Sequence, residues 1–502
     1  MKFSLRLLSV SALITLSATL TNADEKGVNP KVVKIVSEVS EARIRATIEK
    51  LVSFGTRNTM SKTDDPQQGI GAAREWILKE LQSYSPKLQV HFDKYRVKKQ
   101  GLRIFKDVDL WNVVATLPGT KMPETQVFVT GHYDSLNLGT RPAAAPAAPG
   151  SDAAPTPAAQ LTAEQWEKNA GLPAPGACDD GSGTAAVMEL ARVMSQYEFD
   201  KTLVFVAFAG EEQGLIGSSL LAAKSKKDNQ VIEAVLNNDI IGTDVSGNGR
   251  MSNNSVNVYS DETMDSVSQQ LSRYVREVGQ RYLPSMRVDT IFMGDRLGRG
   301  GDHTPFQWEG FAAVRISTPN EIYANQHHET DTLDKMSVPY TTKVARVNAA
   351  VAASLALAPK PPVVFRAPQA GGGRGSDAAP AAPATAEGGG SRGRTGTGAA
   401  AGGGRGRGPM ISRGAGYDAV LQWRAAGPEA DIKGYSIVMR PTSSPYWEQE
   451  IYVGKVTQYT LKDVSVDDVK FGVKAIGVDG GESIVSAYVP VARQKTVIET
   501  VE

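Results

Sequence analysis

The chain has 502 residues, of which 41% are hydrophobic and 22% are charged, so it is long enough for more than one globular domain. Its formal net charge of +1 gives no reason to expect nucleic acid or another strongly charged partner. Cys178 is its one cysteine, which excludes an intrachain disulfide.

Residues 1–23 have the pattern of a signal peptide. Lys2 and Arg6 precede an apolar stretch over residues 7–20 that is short for a membrane span, and small residues follow it. An uncleaved membrane anchor is the alternative, and no later stretch is long and apolar enough for a transmembrane segment. We therefore expect an extracytoplasmic protein, either periplasmic or secreted.

Residues 24–362 alternate strand-like and helix-like segments. Residues 126–135 and 202–210 are β-rich runs that end in polar positions, whereas residues 69–84 and 183–194 carry apolar side chains at helical spacing. This alternation predicts an α/β fold, a three-layer sandwich with a mostly parallel central sheet. In such sheets ligands bind just past the carboxyl ends of the strands.

Two segments of low complexity interrupt this order. Residues 140–175 form a Pro/Ala-rich insertion, and residues 363–414 are rich in Gly, Ala, Pro and Arg, as expected for a disordered linker. The Gly-Arg pattern of the linker is similar to RNA-binding segments, but the export signal argues against nucleic acid.

Residues 415–495 consist of short alternating segments separated by turns, which predicts a small all-β sandwich. This unit resembles a fibronectin type III domain, with Trp423 in its core. Such sandwiches have no common function, so packing is the simplest role for Trp423. Contact of this domain with the cell envelope or its polymers is an open alternative.

Four of the five histidines lie close to acidic residues. These neighbourhoods contain His132 and Asp134, Asp179 and Asp180, Glu211 and Glu212, Asp239, Asp302 and His303, and His327 and His328. Each neighbourhood alone has a simpler explanation, such as a helix start for the two aspartates or a solvated surface for the two glutamates. Imidazole and carboxylate together suit Zn²⁺ with an open position for water. Their joint occurrence near strand ends predicts a metal site.

Five motifs in fixed order carry a resemblance to a known family. They are HYDS (132–135), GACDDGSG (176–183), GEEQGLIGS (210–218), NNDIIG (237–242) and HHETDT (327–332). This order resembles the M28 family of zinc peptidases, which contains aminopeptidases, carboxypeptidase-like enzymes and the related glutaminyl cyclases. The resemblance covers about residues 35–355, and the motifs are specific as a set.

The resemblance implies two zinc ions and a set of site residues. His132 and Asp239 would hold one ion, Glu212 and His327 the other, and Asp179 would bridge them. Glu211 would be the general base, which takes a proton from water and returns it to the leaving amine. Peptides or proteins would be the substrates.

Further residues are expected to surround these ligands. Asp134 is predicted to accept a hydrogen bond from His132 and fix its tautomer. The resemblance also implies a cis peptide between Asp179 and Asp180. Asp302 and His303 are expected either to line the substrate pocket or to pack structurally.

Two departures from the family pattern bear on the site. Cys178 precedes the bridging position, where the family has no ligand, so we interpret it as a small buried residue. The spacing to Asp331 selects His327 rather than His328 as the ligand, which leaves His328 to reach the substrate.

The leading hypothesis is an extracytoplasmic dizinc aminopeptidase. The alternatives are a carboxypeptidase or dipeptidase of the same family, a glutaminyl cyclase, and a surface-binding protein with an inactive enzyme domain. The intact ligand set argues against the last, and the presence of both His132 and Asp239 favours two metals over the single zinc of a cyclase.

Arg296, Arg299 and Arg315 are candidates for binding a terminal carboxylate, but the sequence does not place them. Nor does it give the oligomeric state.

Overall fold

The computed structural model describes residues 27–139, 160–297, 299–365, 412–413, 418–464, 466 and 468–489. The predicted signal peptide, the first part of the Pro/Ala-rich insertion and most of the predicted linker lie outside these residues. Within the described part of the chain, none of the helices combines the length and apolar character that crossing a bilayer requires.

An eight-stranded sheet forms the centre of the first unit. Its strands are β1 (Gln89–Val97), β2 (Val108–Leu117), β3 (Met122–His132), β4 (Lys201–Phe208), β5 (Val231–Asn238), β6 (Ser255–Tyr259), β7 (Arg287–Ile291) and β8 (Ala313–Ser317). They lie in the order β1-β2-β4-β3-β5-β8-β6-β7. The inner strands β4, β3, β5 and β8 are parallel neighbours, as are β6 and β7, whereas β1, β2 and the β6–β8 pair are antiparallel.

Helices cover both faces of this sheet. They are α1 (Pro30–Ser37), α2 (Glu41–Val52), α3 (Gly69–Tyr84), α4 (Ala163–Asn169), α5 (Gly181–Met194), α6 (Ile216–Lys227), α7 (Val267–Tyr282), α8 (His303–Trp308) and α9 (Val338–Leu357). Helix α4 belongs to the second part of the Pro/Ala-rich insertion, and its Trp166 packs with Leu136 and Leu161 in a small apolar cluster.

Strand β4 has buried side chains on both faces of the sheet, so a helical layer must cover each face. All eight of its residues are buried, and alternate side chains enter different cores. Leu203 and Phe205 pack into the larger core, whereas Val204 and Val206 pack into the smaller one on the opposite face. The three-layer α/β prediction is therefore confirmed.

The C-terminal unit contains two antiparallel sheets. One joins β9 (Val363–Phe365), β10 (Ser412–Arg413), β11 (Ala419–Arg424) and β14 (Gln458–Leu461), and the other joins β12 (Ile432–Pro441), β13 (Gln449–Gly454), β15 (Val469–Gly477) and β16 (Ser486–Ala487). Trp423 is fully buried in the apolar core of this unit, edge-on to Tyr435. The all-β prediction is confirmed, and the fibronectin type III assignment stays a prediction.

The start of this unit differs from the predicted boundary. Residues 363–365, expected to open the linker, instead form β9 and pair with Gln422, Trp423 and Arg424 of β11. β10 pairs with the same strand at Val420 and Ala419. The segment between β9 and β10 is thus flanked on both sides by strands that pair with β11.

Candidate metal centre

The candidate metal ligands lie where four parallel strands end. His132 is the last residue of β3, Glu211 and Glu212 follow β4, and Asp239 follows β5. Because β4, β3, β5 and β8 are parallel neighbours, their carboxyl ends meet at one edge, and the loop after β8 brings His327 there.

These residues form two groups of possible metal ligands. His132, Glu211 and Asp239 offer ligand atoms that all lie within 4.8 Å of one another, and so do Asp179, Glu212 and His327. Asp179 faces both groups, because its Oδ1 lies 3.2 Å from Nε2 of His132 and its Oδ2 lies 3.2 Å from Nε2 of His327. The same His327 nitrogen lies 3.1 Å from Oε2 of Glu212.

The local surroundings fit cations at these two positions. Nε2 of His132 and Oε1 of Glu212 are buried and make no hydrogen bond within the described residues. Burial, together with the negative charge of Asp239 and Glu212, raises the pKa of Glu211 well above its usual value, and burial and Asp179 raise the pKa of Glu212. A bound divalent cation would satisfy the free ligand atoms and remove this repulsion.

The same carboxylates also shift the pKa of His327. Burial favours its neutral form, but the carboxylates of Glu212 and Asp179 outweigh burial and raise the pKa of His327 to about 10. Its backbone is in the left-handed region, with φ of +57°, and its carbonyl accepts the N–H of Leu138 at 3.0 Å. The ring is thus held at the mouth of the site, partly exposed.

Asp134 supports the site through both its backbone carbonyl and its carboxylate. Its backbone carbonyl lies 3.1 Å from Nδ1 of His132 and sets the tautomer, whereas its carboxylate lies 3.5 Å away. The carboxylate instead accepts the N–H groups of Glu211 at 3.3 Å and Glu212 at 3.2 Å, and the hydroxyl of Thr59 at 3.1 Å. Asp134 therefore positions the glutamate pair, which the sequence did not indicate.

Asp180 anchors the backbone around the site and belongs to neither group of possible ligands among the described residues. The peptide between Asp179 and Asp180 is cis, as the family resemblance implied. The fully buried carboxylate of Asp180 accepts N–H groups of His132 at 3.2 Å, Gly183 at 2.9 Å and Ile240 at 3.1 Å. It thereby ties the end of β3, the start of α5 and the residue after Asp239 together.

Asp302 and His303 lie beside the first group without joining it. Both carboxylate oxygens of Asp302 are buried without a hydrogen bond among the described residues, and burial raises its pKa to about 7. Burial lowers the pKa of His303 to about 4, so the ring is neutral and its Nε2 donates to the carbonyl of Gly294 at 2.5 Å. His328 belongs to neither group.

Two supporting residues were missed or misjudged from sequence. Arg315, a candidate for substrate carboxylates, is fully buried and donates to Asp239 Oδ1 at 2.9 Å and to Asp295 Oδ2 at 2.5 Å. Asp331 accepts the N–H of Cys178 and the N–H of Asp179, both at 3.0 Å. From the sequence, Asp331 served only as the reference for the spacing that selects His327 over His328, and this supporting role was not predicted. Cys178 is buried, as interpreted.

A buried cluster of imidazoles and carboxylates at the carboxyl ends of parallel strands is typical of metal-dependent hydrolases. Residues 112–352 match peptidase family M28. The chain is 33% identical to a probable zinc metalloprotease of Pyricularia oryzae, over 93% of this chain and 85% of that protein. It is 31% identical to a probable zinc metalloprotease of Leptosphaeria maculans, over 89% of this chain and 94% of that protein.

Among solved structures, the LapA aminopeptidase of Legionella pneumophila aligns with a TM-score of 0.46 and 20% identity, over 65% of this chain and 74% of that chain. The chain belongs to peptidase family M28 and is a zinc metalloprotease of that family.

Proposed function

We propose that the protein is a dizinc exopeptidase that removes N-terminal residues from peptides, with Glu211 as the general base. The observation that carries this proposal is the position of Asp179, whose two oxygens face the histidines of two separate ligand groups at 3.2 Å each. His132 and Asp239 would hold one zinc ion, Glu212 and His327 the other, and Asp179 both.

The residues of the chain divide the work of such a site. Zinc, when bound, lowers the pKa of coordinated water from ~15.7 to about 7 and polarises a carbonyl oxygen. Glu211 accepts the proton of the attacking water and returns it to the leaving amine as the peptide bond breaks. Asp134 accepts the backbone N–H of Glu211 and thereby fixes the position of the general base. Arg315 orients Asp239 through a buried hydrogen bond.

Within the same family, a glutaminyl cyclase is the main competing function. Such an enzyme needs a single zinc, whereas here His132 and Asp239 lie with Glu211 in a second group of ligand atoms. We therefore favour peptide hydrolysis. We further propose that the protein acts outside the cytoplasm, since residues 1–23 have the pattern of a signal peptide.

The test is hydrolysis of aminoacyl-nitroanilides by zinc-loaded protein, compared with the Glu211→Gln variant. We expect kcat to fall by about 10²- to 10⁴-fold in the variant while both zinc ions stay bound. The exposed Glu49→Gln on α2 is the matched control. Cyclisation of N-terminal glutamine without any peptide hydrolysis, or a zinc content of one per chain, would contradict the proposal.

A further inference from the structure

The side chain of Arg299 is linked to the metal centre through Gln326. Two residues further on, a side chain added to Gly301 would lie 3.1 Å from Oδ2 of Asp239, so this segment runs beside the first ligand group. At the tip of the Arg299 side chain, Nη1 donates to Oε1 of Gln326 at 3.1 Å. Nε2 of Gln326 in turn donates to Asp179 at 3.0 Å. The guanidinium is therefore one side chain away from the carboxylate that faces both groups.

Arg299 differs from the two neighbouring arginines in what it binds. Arg315 is buried against Asp239 and Asp295, and Arg296 is held by Asp295 and Glu321. Nη1 of Arg299 lies 4.0 Å from the carboxylate of Glu321, and Glu321 is already paired with Arg296. With 32% of its side chain exposed, Arg299 keeps hydrogen-bond donors open toward solvent.

The three arginines on this side of the site also differ in exposure. The exposed fraction of the side chain is 1% for Arg315, 14% for Arg296 and 32% for Arg299. A planar guanidinium can present two N–H donors to a carboxylate in a bidentate arrangement.

We propose that Arg299 binds a carboxylate of the substrate on the leaving-group side of the scissile bond, so that the enzyme prefers short peptides with a free C-terminal carboxylate. This inference rests on the proposed peptidase function and adds the substrate class to it. An acidic side chain next to the scissile bond presents the same chemistry, and the choice of substrates separates the two sources.

The experiment compares kcat/KM for Leu-Gly, its C-terminal amide Leu-Gly-NH2, and Leu-Asp-NH2 in the zinc-loaded full-length protein. We expect Leu-Gly to be preferred over its amide by about 10- to 100-fold, mainly through KM, because a charge-assisted hydrogen bond is lost with the carboxylate. In Arg299→Gln that preference falls to within about threefold, and Arg299→Lys retains part of it. The control is Arg287→Gln, an exposed arginine on β7, which keeps the wild-type preference.

Zinc content, measured for each variant, shows whether a loss comes from the metal centre. Preference for Leu-Asp-NH2 over Leu-Gly would assign the acidic side chain rather than the terminal carboxylate and overturn the short-peptide inference. Equal rates for Leu-Gly and its amide in the wild type would overturn any role of Arg299 in carboxylate binding while the peptidase function stands. Hydrolysis of none of the three peptides and of no nitroanilide would instead remove the proposed function itself.

Discussion

Asp331 holds the short backbone stretch that carries Asp179. Its two oxygens accept consecutive N–H groups, those of Cys178 and Asp179, and its own backbone carbonyl accepts the N–H of Ala177. Asp331 thus fixes three consecutive residues shortly before the helix α5, two through its side chain and one through its backbone. Residues that orient metal ligands in this way typically change metal affinity by 10- to 100-fold when they are altered.

Asp331→Asn should therefore weaken zinc binding by about 10- to 100-fold, because its amide N–H₂ would face one of the two backbone N–H groups. Zinc titration against a competing chelator measures the effect. Asp334→Asn, an exposed acid on the same segment, is the control and should bind zinc as the wild type does. Unchanged affinity in Asp331→Asn would show that the backbone near Asp179 needs no such anchor.

His303 makes the stability of the fold depend on pH. Its folded-state pKa of about 4 lies below the ordinary value of 6.5, so the unfolded chain takes up the proton first as pH falls. The contribution of neutral His303 is complete above about pH 6.5 and is lost progressively as pH falls toward 4.

His303→Gln should flatten this dependence, because glutamine can keep a donor to the Gly294 carbonyl but does not titrate. Between pH 7 and pH 4.5 we expect the wild type to lose about 2–3 kcal/mol more unfolding free energy than the variant. Denaturant unfolding at both pH values, with equal zinc, measures the difference. Parallel losses in the two proteins would mean that His303 does not titrate in this range.

At the scale of elements, α5 approaches the sheet through glycine. A side chain at Gly183 would come within 2.4 Å of the carbonyl oxygen of Asn238, and one at Gly131 within 2.9 Å of the backbone of Gly183. This close approach lets Asp180, at the N-terminus of α5, reach the ends of both β3 and β5. The two glycines therefore set the distance between helix and metal centre.

Gly183→Ala should cost about 1–3 kcal/mol of stability, because the alanine methyl group has to displace the backbone of Asn238 as well as the buried carboxylate of Asp180. Activity should fall as well, since Asp180 would be pulled away from His132 and Ile240. Gly171→Ala is the control: its nearest neighbour would be 3.8 Å away, and we expect a change within about 0.5 kcal/mol. Thermal unfolding and nitroanilide hydrolysis measure both effects, and a fully stable, active Gly183→Ala would refute the close approach.

The elements also show which parts of the site a sequence can predict. His132, the glutamate pair and Asp239 each follow an apolar run, so their place at strand ends could be predicted from periodicity. The contact of Arg315 with Asp239 joins residues 76 positions apart, and that of Asp331 with Asp179 joins residues 152 apart. No local sequence pattern predicts such contacts, because they depend on the order of the strands in the folded sheet.

At the scale of the whole molecule, the two units share a buried polar interface. Arg440 of β12 donates to Asp265 at 2.7 Å, with 4% and 2% of the two side chains exposed. Arg273 of α7 donates to the carbonyl of Pro445 at 2.6 Å, and the indole N–H of Trp447 donates to Gln270 at 3.1 Å. These hydrogen bonds join residues of the two units that lie 172 to 177 positions apart in the chain.

Arg440→Met should destabilise the protein by about 3 kcal/mol, because removal of one partner leaves a buried carboxylate with weaker compensation. Asp265 retains Arg273 at 3.2 Å, which keeps the cost at the lower end of the usual range. Calorimetry measures the effect, and we expect the two units of the Arg440→Met variant to unfold in separate transitions. The exposed Arg424→Met should unfold like the wild type, and an unshifted transition in Arg440→Met would mean that the interface contributes little.

The pairing of β9 and β10 along a single strand has a consequence for proteolysis. A protease that cuts between residues 366 and 411 severs the chain, yet β9 on the upstream fragment stays hydrogen-bonded to β11 on the downstream one. Cutting there should give two bands on a denaturing gel but one peak of unchanged elution volume in gel filtration. A maturation cut in this stretch would thus alter the covalent chain while the two fragments remain a single particle.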